Sequence, residues 1–131
     1  TFRNTVLGET WQERGEAPDW ERLVERREDF RMGVVPAGVL CLTAGVDVQA
    51  DRVELVRVAW GAREECWALE WRQVHGDPAA LATWAEVTEV LRGWLADPLL
   101  AVAVDSGFQT DAVWRWADGL PGTLRRRTFV V

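Results

Sequence analysis

Lysine is absent from this sequence: all 15 basic side chains are arginine, which we read as the mark of a GC-rich genome rather than of a chemistry. Histidine is nearly absent too. His75 is the single imidazole and sits beside Gly76 in a loop-like stretch, so a histidine-dependent catalytic triad has nothing to build on. Ser106-Gly107 lacks the glycine pattern of a nucleophile elbow. No glycine loop leads into Lys and Ser/Thr, which excludes ATP binding of the P-loop kind within this stretch. The two cysteines, Cys41 and Cys66, each lie inside an apolar segment. Their number and spacing exclude a disulfide framework and a CxxC metal site, so two buried free thiols of a cytosolic protein are expected. No apolar run approaches the roughly 18 residues of a membrane span. Thr1-Phe2-Arg3-Asn4 offers neither an initiator methionine nor a signal peptide, and the last residues stop inside a strand-like run. Both ends are therefore expected to be cuts in a longer protein.

What is present is a globular composition. The 131 residues suffice for one domain with a real core, and 48% hydrophobic with 27% charged residues is not a disordered profile. The net charge of −6 argues against a self-sufficient DNA-binding module, because phosphate contact favours a basic face. Nine tryptophans are spread along the chain, mostly on apolar faces, and are expected in the core. Trp114 and Trp116, two apart in a helical stretch, cannot both point inward; one is expected to face a neighbouring domain. Arg125, Arg126 and Arg127 read as a solvated charge run.

Residues 1–38 read as a connecting arm and 39–131 as the core. The segment from Trp11 to Pro18 is polar and broken by Gly and Pro, hence loop. Asp19 is a plausible N-cap for a short helix with Trp20, Leu23 and Val24 on one face. Val39 to Val46 is a nearly continuous apolar run, the pattern of a strand covered on both faces, and it ends at Asp47. Arg52 to Trp60 is a second strand, with Val53 and Leu55 on one face and Val56, Val58 and Trp60 on the other; this phase allows a bulge or two partly covered faces. Glu64 to Val74 is a third, with Trp67, Leu69 and Trp71 on one side, and short connections make the three an antiparallel meander. Asp77-Pro78 predicts the start of a helix whose stripe is Leu81, Trp84, Thr88, Leu91 and Leu95, widened by Val87 and Trp94 and closed by Asp97-Pro98. Leu99 to Val104 is a second fully apolar strand, and it too ends in an aspartate, Asp105. A short helix from Asp111 to Ala117 and a last strand from Thr128 follow.

The resulting order is β-β-β-α-β-α-β, an α/β mixed sheet. A strand reached through a helix tends to return parallel to its neighbour by a right-handed crossover. With the fourth strand beside the first, Asp47 and Asp105 stand at adjacent strand ends, about 5 Å apart in the pairing direction. Two carboxylates so placed repel unless one is protonated or a cation lies between them. Oxygen ligands without nearby His or Cys favour Mg²⁺ or Mn²⁺, and such metals can drive phosphodiester cleavage. Gly107 removes side-chain bulk where a nucleic-acid backbone would approach. Asp51, in the hairpin connection, reads as ordinary turn chemistry.

Three pieces together resemble a known family: Asn4-Thr5-Val6-Leu7-Gly8-Glu9 with Trp11; Leu42-Thr43-Ala44-Gly45-Val46-Asp47-Val48-Gln49 followed by Asp51-Arg52; and Val102-Ala103-Val104-Asp105-Ser106-Gly107 with Thr110. The resemblance is to the large terminase subunit of lambda-like (GpA-type) tailed phages and prophages. It implies a DNA-packaging motor in the bacterial host cytoplasm, whose upstream ATPase domain binds ATP and whose RNase H-like nuclease cuts concatemeric double-stranded DNA. It further implies Asp47 and Asp105 as catalytic metal ligands, Gln49, Ser106 and Gly107 as DNA contacts, and the small terminase subunit and the portal of the procapsid as partners, with no membrane. In such a motor other parts also hold the DNA, which accommodates the acidic charge. The family's nuclease uses a further acid that would fall beyond Val131, so the metal site of this stretch alone is expected to be incomplete. Two other readings stay open: an RNase H-like nuclease of resolvase or transposase type, and a non-catalytic structural module of a decayed prophage.

Overall fold

Three strands with short reversals open the core: β1 (Cys41–Val48), β2 (Arg52–Trp60) and β3 (Cys66–His75). They pair antiparallel in sequence order, as the meander pattern predicts. Helix α2 (Leu81–Trp94) then leads to β4 (Leu99–Val104), and α3 (Thr110–Gly119) with the short α4 (Gly122–Arg125) leads to β5 (Thr128–Val130). A separate turn of helix, α1 (Trp20–Glu25), precedes them. The computed structural model describes residues 20–25, 27–29, 31–95 and 99–131. The Asn4 to Glu9 piece with Trp11, the loop up to Pro18, the Asp19 N-cap and the Asp97-Pro98 stop lie outside the described residues.

The sheet order is β3-β2-β1-β4-β5. β4 lies parallel to β1, with Val46 opposite Val104, and β5 lies parallel to β4. β4 thus returns parallel beside β1, as expected of a strand reached through a helix. One face of the sheet is the core: Leu42, Ala44 and Val46 of β1, Val53 and Leu55 of β2, and Val102 and Val104 of β4 are all buried. Against it pack Trp84, Val87, Leu91 and Trp94 from α2 and Val113, Trp116 and Ala117 from α3. The two helices interlock through Trp84 and Trp116, whose ring centroids are 4.7 Å apart. The Trp116 indole N–H donates to Thr88 Oγ1 at 2.9 Å, and that hydroxyl donates to the Trp84 carbonyl at 2.8 Å.

Several details depart from expectation. β1 does not end before Asp47: Asp47 pairs with Glu54 and Val48 with Val53. The reversal needs only residues 49–51, closed by the Gln49 N–H on the Arg52 carbonyl at 2.9 Å. Nor is β1 covered on both faces; its burial alternates strictly. β2 alternates strictly as well, and the bulge falls on β3, where Arg57 faces Glu70 and Val58 faces Ala68. Leu69 is the extra residue. It is buried on the helix side, and the phase beyond it is inverted, so Trp71 points to the face opposite Leu69 rather than sharing its side.

Helix α2 begins at Leu81, not at Asp77-Pro78. Asp77 instead closes the preceding turn, its Oδ1 accepting the Ala79 N–H at 2.9 Å, while the Pro78 carbonyl accepts the Trp84 indole N–H at 2.7 Å. Leu81 thereby leaves the apolar stripe and is 79% exposed. Among the described residues only some tryptophans are core, with Trp67 half-buried against it. Trp84, Trp94 and Trp116 are buried, whereas Trp20, Trp60, Trp71 and Trp114 are exposed; of the pair in α3, Trp116 points inward and Trp114 outward, as the spacing requires. The cysteines are free, but Cys66 is exposed and Cys41 only half-buried, because each sits at the first position of its strand. No helix among the described residues is long and apolar enough to cross a membrane.

Candidate functional site

The sheet face turned away from the core carries the side chains that alternate with the buried ones. Register sets them in rows across the strands. One row runs Trp71, Val56, Gly45, Ala103, Phe129, from β3 to β5. The next runs Gln73, Glu54, Asp47, with Asp105 beside it one residue beyond the Val46–Val104 pair. The Asp105 N–H donates to the Val46 carbonyl at 2.9 Å, which continues the β1–β4 ladder to the two acids. Asp47, Asp105, Glu54 and Trp71 line one cleft of about 350 Å³, whose floor is Gly45, Val56 and Ala103.

The three carboxylates of this cleft differ in their partners. Glu54 is compensated. Arg52 Nε donates to its Oε1 at 2.7 Å, Gln73 Nε2 to the same oxygen at 3.1 Å, and the Trp71 indole N–H to Oε2 at 3.2 Å. The hydrogen bond from Arg52 is the main reason the Glu54 carboxyl is held below the ordinary glutamate range, followed by that from Gln73. Arg52 is held protonated in turn by Glu54 and Asp51. Among the described residues, Asp47 and Asp105 receive neutral donors: the Gln49 side-chain amide on Asp47 Oδ2, and the Gly107 N–H on Asp105 Oδ1 at 2.9 Å. Among the described residues neither has an arginine partner. Negative charge in the cleft is therefore uncompensated at this pair, and a pair of exposed oxygen ligands suits a hard divalent cation. No group of three or more His, Cys, Asp or Glu that could hold a metal ion occurs among the described residues.

The flanking residues shape the acids. A Cβ on Gly107 would lie 3.3 Å from Asp105 Oδ1, so glycine here spares the carboxylate as well as any incoming backbone. The Ser106 hydroxyl donates to the Val131 carbonyl at 2.8 Å, and Thr110 Oγ1 to the Ser106 carbonyl at 2.6 Å, which fixes the loop after β4. Asp51 is a turn residue paired with Arg52 at 2.8 Å. His75 lies exposed at the end of β3, and Arg125 pairs with Asp118 at 3.1 Å. Sequence reasoning missed Glu54, Trp71 and Gln73. A three-residue reversal after Val48 would have placed Glu54 opposite Asp47, but nothing in the sequence reveals the bulge that turns Trp71 to this face.

Residues 1–128 match the family described as the terminase large subunit gpA, endonuclease domain. The chain is 46% identical over 77 residues to the terminase large subunit of Escherichia phage lambda, covering 58% of this chain and 12% of the relative. It is 39% identical over 79 residues to that of Enterobacteria phage P21, covering 60% of this chain and again 12% of the relative. Among solved structures, Thermus thermophilus RuvC aligns with a TM-score of 0.46 at 20% identity, over 68% of this chain and 60% of that one. The five-stranded sheet is mixed, with the α/β order expected from the sequence. The chain belongs to the endonuclease-domain family of the gpA terminase large subunit.

Proposed function

We propose that this domain is the nuclease of a phage DNA-packaging terminase, cutting concatemeric double-stranded DNA at a site built on Asp47 and Asp105. The observation that carries the reading is the uncompensated carboxylate pair at the ends of adjacent parallel strands, in a chain of the terminase endonuclease family. Asp47 and Asp105 would hold Mg²⁺ or Mn²⁺, which when bound supplies charge stabilisation and an activated water for phosphodiester hydrolysis. The chain's own residues orient the acids: Gln49 through its amide to Asp47, and Gly107 through its N–H to Asp105. Around them Gln49, Ser106 and Gly107 are the residues we assign to the DNA backbone. Ser106 acts through its loop, since its one hydroxyl proton is given to the Val131 carbonyl. The remaining parts of the reading are an arm at residues 1–38 leading from an ATPase domain, and work with the small terminase subunit and the procapsid portal in the bacterial cytoplasm. Terminase relatives favour this over a resolvase or transposase core.

The test is cleavage of duplex DNA by the intact protein in Mn²⁺. Asp47→Asn and Asp105→Asn should each lower the rate by more than the roughly 100-fold that loss of an outer-shell metal partner can cost, while DNA binding and ATPase activity persist. Unchanged cutting in both variants would refute the site.

A further inference from the structure

We propose that Trp71 is a positioning residue that packs on a nucleotide next to the phosphate presented to Asp47 and Asp105; this rests on the nuclease reading above. Trp71 is 55% exposed, yet its orientation is held. Its indole N–H reaches Glu54 Oε2, and the other Glu54 oxygen is fixed by Arg52 and Gln73. An exposed aromatic ring restrained by a buttressed carboxylate is organised before any ligand arrives. The ring borders the cleft that the two uncompensated acids border, two residues along β3 from Gln73 and so one row from the carboxylates.

The floor between ring and acids is low. Val56, Gly45 and Ala103 follow Trp71 across the sheet, and by strand spacing Ala103 stands about 14 Å from Trp71. The cleft thus offers an apolar wall and floor on one side and a site of negative charge suited to a cation on the other. A ligand that matches both has a flat or apolar body joined to an anion that a cation can bridge, which describes a nucleotide within a DNA strand. Aromatic packing on an unpaired base does not depend on base identity and is worth about 1–3 kcal/mol per base. Trp60 is a built-in control. It is exposed on the same sheet face, but it sits at the far end of β2 with its N–H on Thr43 Oγ1, remote from the acids.

Equilibrium binding of a short DNA duplex with an unpaired end to the intact protein tests the proposal, in Ca²⁺ in place of Mg²⁺ or Mn²⁺ so that a hard cation bridges phosphate and acids while cutting is suppressed. Trp71→Ala should weaken binding by about tenfold, the value expected for losing one stacked base, whereas Trp71→Phe and Trp60→Ala should stay within about threefold. In the wild-type protein, a duplex carrying 5-bromouracil in place of thymine should photo-cross-link to Trp71. That readout stands even where Trp71→Ala fails to fold, and a merely structural tryptophan would not give it. Unchanged affinity of a folded Trp71→Ala, an equal loss in Trp60→Ala, or cross-links that avoid residue 71 would each overturn the proposal. A lowered melting temperature with unchanged affinity would overturn it too, by showing that another segment of protein covers the ring. Absence of duplex binding by the wild type would instead overturn the nuclease reading itself, whereas loss of cutting in the aspartate variants with an unaffected Trp71→Ala would leave that reading standing alone.

Discussion

At the scale of single residues, the site is defined by which carboxylates have cationic partners. Glu54 stands directly across from Asp47 in the β1–β2 ladder, yet among the described residues it receives Arg52 while Asp47 receives the Gln49 amide. The difference has a consequence for pH. A carboxyl whose folded-state pKa is lowered favours folding above its unfolded value and loses that contribution as pH falls through the folded one. Glu54 is such a group, so its pairing should persist below the ordinary glutamate range and fail only in stronger acid. In an NMR titration Glu54 should therefore protonate at lower pH than an unpaired surface glutamate, and Arg52→Ala should move it upward. Identical midpoints with and without Arg52 would contradict the assignment of cause. Only the register places Glu54, with its Arg52 partner, across from Asp47.

At the scale of elements, the connections decide what each strand and helix presents. Gly76 holds φ +152 at the exit of β3, and a Cβ there would meet Thr83 Oγ1 at 2.6 Å. Its backbone freedom and missing side chain let the chain turn so that Thr83 can donate to the Asp77 carbonyl at 2.8 Å and anchor the first turn of α2. Gly76→Ala should lower the unfolding free energy by more than about 1 kcal/mol in denaturant titrations. A stability equal to wild type would show that the turn relaxes freely. The apolar stripe of α2 was legible because Trp84, Val87, Leu91 and Trp94 repeat at helical spacing. Its start was not, because Asp77-Pro78 carries the same residues whether it caps a helix or a turn. On β3, Trp67, Leu69 and Trp71 alternate perfectly in sequence, and the bulge at Leu69 breaks that alternation in space. An extra residue in one strand answers to the partner strand, so it leaves no local signature.

At the scale of the molecule, core and site share one sheet on opposite faces. The helix-bearing face holds the fold together, with the Trp84–Trp116 contact joining α2 to α3. Trp84, 2% exposed, should cost about 3–5 kcal/mol when replaced by alanine, the range for deleting a large buried aromatic side chain. Calorimetry or denaturant unfolding would measure it, and a loss below about 1 kcal/mol would mean that the helices do not depend on this contact. The strand ends that carry Asp47 and Asp105 lie across the sheet from that contact. Core variants should thus act on the folded fraction, and variants in the cleft on binding and cutting.

The sequence by itself determined the strands and their order, the amphipathic helix, and the two aspartates as candidates, because long apolar runs and helical periodicity are local patterns. A strand reached through a helix tends to return parallel, which made β4 a candidate neighbour of β1. Only the tertiary structure decided which acids among the described residues lack a cationic partner, that Glu54 and Trp71 share their cleft, and that Trp20, Trp60, Trp71 and Trp114 are exposed rather than core. Each of these depends on register and on one bulge, and both are set by contacts between strands far apart in the chain. Asp47 and Asp105 could be found by reading along the sequence; what surrounds them had to be read across the sheet.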